Sequence, residues 1–450
     1  MKNIITKYNN QNSILVISSY PEKGVVYSGK VCAVGGFAKN TVQSLQKTLQ
    51  EKGEKRNIIV LTVTTGKQEM YVENDVLVVR CFQRNSMTSY VSMAKTLLQF
   101  NNIKDVLVEF EFASFGHVKT TGLFPLVLLL LRVLQKNTTL VLHQVLTNVS
   151  EIMGHIGVDK KSATAFSIRI LLNLFYKTLV LFPKHIVVLE EIFKKRLVDL
   201  TNTNKVTVIP HGVDISMQRM PKNTARKILG IKQNETVLLY FGYLTWYKGA
   251  DWLVKAAAGN KKIRLIVAGG KSFTQTGKAH YDKYVKQIYD VAKTCKNITI
   301  TGFVNEKDMP LYFGAADLVV LPYRTMLSSS GPLSLTYSFG KPLLLSDRLL
   351  DYTLSLDYKE ALAESGLSKK DIFFPLEKES FLKKVQGLTK SHVAKLETFS
   401  VLLGQKRTFA ALSKTYIQLL TRESLPRFTA RLPFRLSNSN YVMSVIKENS

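Results

Sequence analysis

Acidic residues are scarce in this sequence. Of 450 residues, 33 are Asp or Glu against 62 Lys or Arg, a formal net charge of +29. Such an excess concentrates anions near the protein, whether nucleic acid, phosphorylated substrate or acidic lipid headgroups. A lysine-rich, solvated surface accounts for it equally well. The cations are scattered, no run of five or more like charges occurs, and no nucleic-acid-binding signature is present. A dedicated nucleic-acid module is therefore not expected. Cysteine is nearly absent: Cys32, Cys81 and Cys295 are odd in number and far apart, which excludes a disulfide scaffold and a four-cysteine zinc site. Long apolar runs are missing too. Residues 122–131 stop at Arg132, and 166–182 are interrupted by Arg169, Asn173 and Lys177. Both fall short of the roughly 20 residues of a membrane span. The second reads as a core helix, or as an interfacial amphipathic one. The polar start, Met1 to Asn12, has no signal-peptide pattern, and a cytoplasmic protein is expected.

No internal repeat, Gly-x-Ser-x-Gly elbow, P-loop lysine motif or metal-ligand pair stands out. What is present is alternation. Short apolar runs predict strands at 13–18, 57–63, 76–81, 106–110, 139–143, 185–189 and 206–209, with a helix over 37–53. A polar stretch over 222–236 reads as a linker with a short helix at 225–229. The βα pattern then restarts, with strands at 237–241, 263–268, 298–301, 318–321 and 342–345. Two such series predict an α/β protein of two doubly wound Rossmann-like domains facing across a cleft. Ligands are expected at the carboxyl ends of their strands.

Several loops at those strand ends suit an anion. Residues 241–249, Phe-Gly-Tyr-Leu-Thr-Trp-Tyr-Lys-Gly, join a strand to a helix. Glycine admits close backbone approach, a helix start favours negative charge, and Lys248 adds a cation. Thr325 to Pro332, with Arg324 just upstream, offers hydroxyls and small residues before another helix. Gly35-Gly36 precedes the helix at Phe37, and His143 ends a strand. Each of these has an ordinary structural explanation when taken alone.

Their order is more specific. Phe241 to Gly249, Ala268-Gly269-Gly270, Thr301-Gly302-Phe303-Val304, Ala315-Ala316-Asp317 and Gly340-Lys341-Pro342 follow one another. Upstream lie Gly35-Gly36, Glu109-Phe110-Glu111, His143 and Ile209-Pro210-His211-Gly212-Val213-Asp214. Over about residues 13–350 this series resembles the glycosyltransferase B fold, and most closely the retaining glycosyltransferase family 4. The resemblance implies an acceptor-side domain over 1–213 and a nucleotide-sugar-binding domain over 214–400. It further implies that 401–450 is a helix returning to the first domain plus a basic tail. Lys248 matches the lysine that binds the donor diphosphate, and His143 the histidine near the reacting sugar. Phe303 and Val304 match the loop that reads the nucleobase, and Gly36 the loop beneath the donor phosphates. Tyr243, Gly270, Arg324, Ser329, Ser330, Gly331 and Pro332 fall at donor-binding positions, and Glu111 on the acceptor side. No metal and no cofactor is implied.

The sequence departs from the family in two places. Tyr243 stands where an arginine is usual. The signature Glu-x7-Glu falls on Leu327 and Leu335, so recognition of donor hydroxyls passes to residues such as Ser328, Ser329, Arg324 or Asp347. The expected activity is transfer of a hexose from a nucleotide sugar to a glycan, lipid-linked or small-molecule acceptor, in or near polysaccharide synthesis. The chain would be cytoplasmic, with peripheral contact to the inner face of an anionic membrane. The alternatives are a catalytically degenerate scaffold or activating partner, and a phosphorylase or sugar-phosphate enzyme on the same fold.

Overall fold

The computed structural model describes residues 2–147 and 163–421. Within them the chain divides into two compact units. One comprises residues 2–212, 327–331 and 409–421, and the other 213–326 and 332–408. Each is a Rossmann-like α/β layer structure.

The first unit is built on an eight-stranded sheet. Its strands are β1 (Ile14–Ile17), β2 (Ile58–Val63), β3 (Glu69–Glu73), β4 (Val76–Phe82), β5 (Asp105–Phe110), β6 (Asn137–Leu142), β7 (His185–Val188) and β8 (Val206–Val208). They lie in the order β3-β4-β2-β1-β5-β6-β7-β8, and every pairing but β3 with β4 is parallel. Runs such as Ile-Leu-Val-Ile and Ile-Ile-Val-Leu-Thr-Val are buried on both faces, as parallel strands covered by helices must be. Strand β3 was not expected. It mixes exposed and half-buried residues and returns through Asn74-Asp75, both at positive φ (48° and 61°), a two-residue hairpin turn. Buried Arg80 pins that edge, donating to Tyr20 O, Val63 O and the Tyr71 hydroxyl and pairing with Glu69.

Helix Val34–Glu51 covers one face of this sheet, and helix Phe409–Thr421 packs beside it. Phe37, Val42, Leu45 and Leu49 form one core with Tyr416, Ile417 and Leu420. Thr48 and Ser413 share a 2.6 Å hydroxyl contact there. The opposite face carries Phe110, whose ring meets Phe124 at 4.7 Å and Phe175 at 5.7 Å. These rings belong to helices Phe124–Val133 and Ala163–Leu179. The core-helix expectation for 166–182 needs correction here. Ala165, Tyr176 and Leu179 face inward, but Phe166, Ile170, Leu171 and Leu174 are exposed. Periodicity reveals an apolar stripe without saying which stripe is covered.

The second unit has six parallel strands: β9 (Thr236–Phe241), β10 (Ile263–Ala268), β11 (Ile298–Ile300), β12 (Leu318–Leu321), β13 (Leu343–Ser346) and β14 (Phe373–Phe374). Their order is β11-β10-β9-β12-β13-β14, so the winding direction reverses between β9 and β12. The expected linker over 222–236 is instead part of this unit. Helix Lys222–Ile228 carries Arg226, fully buried. Its guanidinium donates to Ala315 O, Gln233 O, Glu235 O and Asp317 Oδ2. A buried guanidinium is tolerated only with such a complete set of acceptors, and that set ties the segment down.

Candidate functional site

In a doubly wound sheet the strand ends beside the winding reversal leave a crevice suited to a ligand. In the second unit that position is the end of β9, and the chain leaves it through Gly242. This residue has φ 126°, and its N–H donates to Ala268 O at 3.0 Å. One 3-10 turn, Trp246–Lys248, leads into helix Ala250–Ala257. Gly249 joins them at φ 71°, and a Cβ there would lie 2.0 Å from the Pro322 carbonyl oxygen. Only glycine fits. The turn draws Lys248 inward to 8% exposure. Its Nζ lies 5.8 Å and 6.0 Å from the ring centroids of Tyr247 and Tyr323, and 3.3 Å from where a Cβ on Gly242 would stand. The ammonium thus sits against the bare backbone at the end of β9.

The neighbouring loops close around this position. A Cβ on Gly269 would meet Gly242 O at 1.9 Å, and one on Gly270 would meet Phe303 N at 2.6 Å. Leu244 N donates to Gly270 O at 3.0 Å. Tyr243 stacks on Phe303, centroids 6.1 Å apart and 26° between planes. Phe303 is 41% exposed, whereas Val304 is buried. This aromatic pair offers a flat apolar surface near the end of β10. Pro332, in helix Gly331–Ser338, rests on Gly242, its Cγ 2.9 Å from the position of a Cβ there.

Arg324, expected to contact the donor, is committed elsewhere. It donates to Asp251 Oδ1 at 2.8 Å and Oδ2 at 2.7 Å, and to Trp246 O at 2.6 Å. Its guanidinium carbon lies 5.3 Å from the Trp246 ring centroid. Tyr284 adds a 2.8 Å hydrogen bond to Asp251 Oδ1. Arg324 is therefore a brace that fixes the 245–248 turn, and Asp251, Tyr284 and Trp246 are parts of the site that the sequence did not reveal. Burial alone would raise the Asp251 carboxyl, but the hydrogen bonds and charge of Arg324 outweigh it and hold the pKa below the ordinary value. A depressed carboxylate pKa stabilises the fold above the unfolded value, near 4, and that contribution is lost as pH falls through the folded value. Asp251→Asn should then cost about 2 kcal/mol in urea unfolding near neutral pH and progressively less in acid, as the pH falls through the folded value of the carboxyl. Equal costs at neutral and acid pH would contradict the brace.

The expected residues of the first unit fall into three places. His143 follows β6, and its Nε2 lies 2.7 Å from Glu109 Oε2, both side chains buried. The Phe37 ring meets the imidazole edge-on at 4.7 Å. Tyr416 lies close to the Glu109 charge, and burial first, then that charge, push its hydroxyl well above the usual phenol range. Ser329 donates through its N–H to His143 O at 3.3 Å and through Oγ to Glu190 Oε1 at 2.6 Å, and Ser330 is buried. Glu111 precedes the short helix Phe112–Phe115, beside Cys32 and Arg84. Burial, followed by the Glu111 charge, pushes the Cys32 thiol up to about 12, which disfavours the nucleophilic thiolate.

Gly36 differs from expectation. Helix Val34–Glu51 begins before it, so Gly35 and Gly36 lie in the first turn and not in a loop ahead of the helix. A Cβ on Gly36 would stand 3.0 Å from Tyr27 Cδ1 and 3.1 Å from Val26 O. Its missing side chain makes room for the 26–27 backbone and ring. Glycine suggests a helix boundary from propensity, and here close packing overrides it.

The family described as "Glycosyl transferases group 1" matches residues 221–348, the segment that holds Lys248 and the loops around it. The D-inositol 3-phosphate glycosyltransferase of Mycobacterium sp. (strain KMS) is 31% identical over 140 residues, 30% of this chain and 31% of that protein. The matched segment thus spans about a third of the length of that relative. Among solved structures, sucrose-phosphate synthase from Thermosynechococcus elongatus superposes with a TM-score of 0.67 at 14% identity. That likeness covers 92% of this chain and 99% of the other. Anabaena HepE, solved in complex with UDP, gives 0.58 at 13% identity over 91% of this chain and all of that one. Residues 221–348 are thus similar to the group 1 glycosyltransferases, and the two Rossmann-like units share the glycosyltransferase B fold.

Proposed function

We propose that the protein transfers a hexose from a nucleotide-sugar donor to a glycan, lipid-linked or small-molecule acceptor, with retention of configuration. The observation that supports it most is Lys248, drawn in beside Gly242 at the end of β9. A nucleoside diphosphate leaves with negative charge growing on its β-phosphate. The Lys248 ammonium, in place of a metal ion, would neutralise that charge, and the start of helix Gly331–Ser338 would add its dipole. The base would rest on the loop of Gly270, Phe303 and Val304, against the aromatic surface that Phe303 shares with Tyr243. Ser329, Ser330, Gly331 and Pro332 are proposed as further donor contacts. Gly36 and Arg324 are proposed to act indirectly, one through packing and the other through the 245–248 turn. In the first unit His143, held by Glu109, is proposed as the group nearest the reacting sugar, with Glu111 on the acceptor side. Peripheral contact with an anionic membrane belongs to the same reading.

A screen of UDP-, GDP- and ADP-sugars that follows nucleotide release tests the proposal. One donor should release its nucleotide in an acceptor-dependent way. A second reading, a degenerate scaffold, draws on Leu327 and Leu335, buried apolar side chains at the positions where the family resemblance puts carboxylates. It predicts no nucleotide release from any donor and no nucleotide binding. Release that requires inorganic phosphate or a sugar phosphate would instead indicate a phosphorylase.

A further inference from the structure

The helix layer on the Phe110 face of the first unit presents apolar side chains in both directions. In helix Phe124–Val133, Phe124, Val127, Leu128 and Leu131 are buried, while Leu126, Leu129 and Val133 are exposed at spacings of three and four. Helix Ala163–Leu179 packs against it and repeats the pattern. Its Phe166, Ile170 and Leu174 recur every fourth residue, each more than half exposed, with Leu171 beside them. Soluble proteins leave single apolar residues outside as a matter of course, but seven on two adjoining helices are an excess that calls for a covering surface.

The charge of these helices identifies that surface. Neither contains an Asp or Glu, and their charged residues are Arg132, Arg169 and Lys177, all exposed. The Arg169 guanidinium lies 5.5 Å from the Phe166 ring centroid. Lys184 continues the positive charge just beyond the second helix. Aliphatic side chains flanked by cations, with no anion among them, suit the boundary between acyl chains and acidic headgroups. A second copy of this chain is a poor occupant, since each carries a net charge of +29. No helix among the described residues is long and apolar enough to cross a membrane, so insertion here would be shallow.

We propose that the exposed face of helices Phe124–Val133 and Ala163–Leu179 docks onto the surface of a bilayer rich in acidic phospholipid. This deepens the membrane contact proposed above and rests on that reading, but not on the donor chemistry.

The test is co-sedimentation of the full chain with vesicles of phosphatidylcholine alone and of phosphatidylcholine mixed equally with phosphatidylglycerol. The wild type should prefer the acidic vesicles by about tenfold or more at low salt and lose most of that preference in high salt. Leu126→Glu combined with Leu174→Glu should weaken binding by about tenfold or more, because both apolar contacts are replaced by like charge. Ile228→Glu, at an exposed position in the second unit, should leave it unchanged. Matching urea midpoints would show that the variants fold. Absence of wild-type binding, or an equal loss in the Ile228 control, would overturn the proposal. So would a wild type that self-associates without binding vesicles and becomes monomeric in the double variant. Nucleotide release measured without vesicles reads the transferase proposal separately.

Discussion

Lys248→Ala is expected to reduce nucleotide release from the donor sugar by about 30- to 1,000-fold, a loss of roughly 2–4 kcal/mol in transition-state stabilisation. The size follows from where the ammonium sits. It is nearly buried between the Tyr247 and Tyr323 rings and close to the Gly242 backbone, where water screens a charge poorly. The interaction strengthens as the leaving diphosphate gains charge, so the loss should appear mainly in kcat, and less in KM. Lys248→Met, which keeps an apolar stem of similar length, should lose as much activity while preserving the urea midpoint. Wild-type turnover in both variants would remove Lys248 from the mechanism.

Gly249→Ala should destabilise the second unit by about 2–4 kcal/mol and carry activity down with it. Two costs combine. The residue holds φ 71°, which L side chains rarely adopt, and the new methyl would stand 2.0 Å from the Pro322 carbonyl oxygen. That neighbour is backbone at the end of β12 and cannot rotate away. Gly259 provides the comparison. It holds φ 73° but has nothing within 4 Å of its absent Cβ, so Gly259→Ala should cost only about 1 kcal/mol. Equal urea midpoints for the two variants would contradict the account of the turn.

The parallel strands were legible because each is a short, continuous apolar run, and burial on both faces demands that pattern. Strand β3 was not, because its residues half face solvent and its only local mark is the Asn74-Asp75 turn. The position of Lys248 could be read, since a glycine, a strand end and a helix start converge on it within a few residues. Arg324 was legible as a cation near a strand end, but its role as a brace of the 245–248 turn was not. Its partner Asp251 is distant in sequence, and sequence alone does not bring the two together. The same limit hid Glu109 beside His143, and it hid which side of the Phe166 helix faces outward. Gly36 shows the converse, a glycine selected by packing and not by a turn.

The account rests on one claim above all, that the end of β9 holds a nucleoside diphosphate through Lys248. Calorimetric titration of UDP, GDP and ADP into the wild type and Lys248→Ala measures it without reference to acceptor or product. The account predicts that one nucleotide binds the wild type with a clear heat and that the variant binds it at least about tenfold more weakly. No binding of any nucleotide, or equal binding by the two proteins, would contradict it.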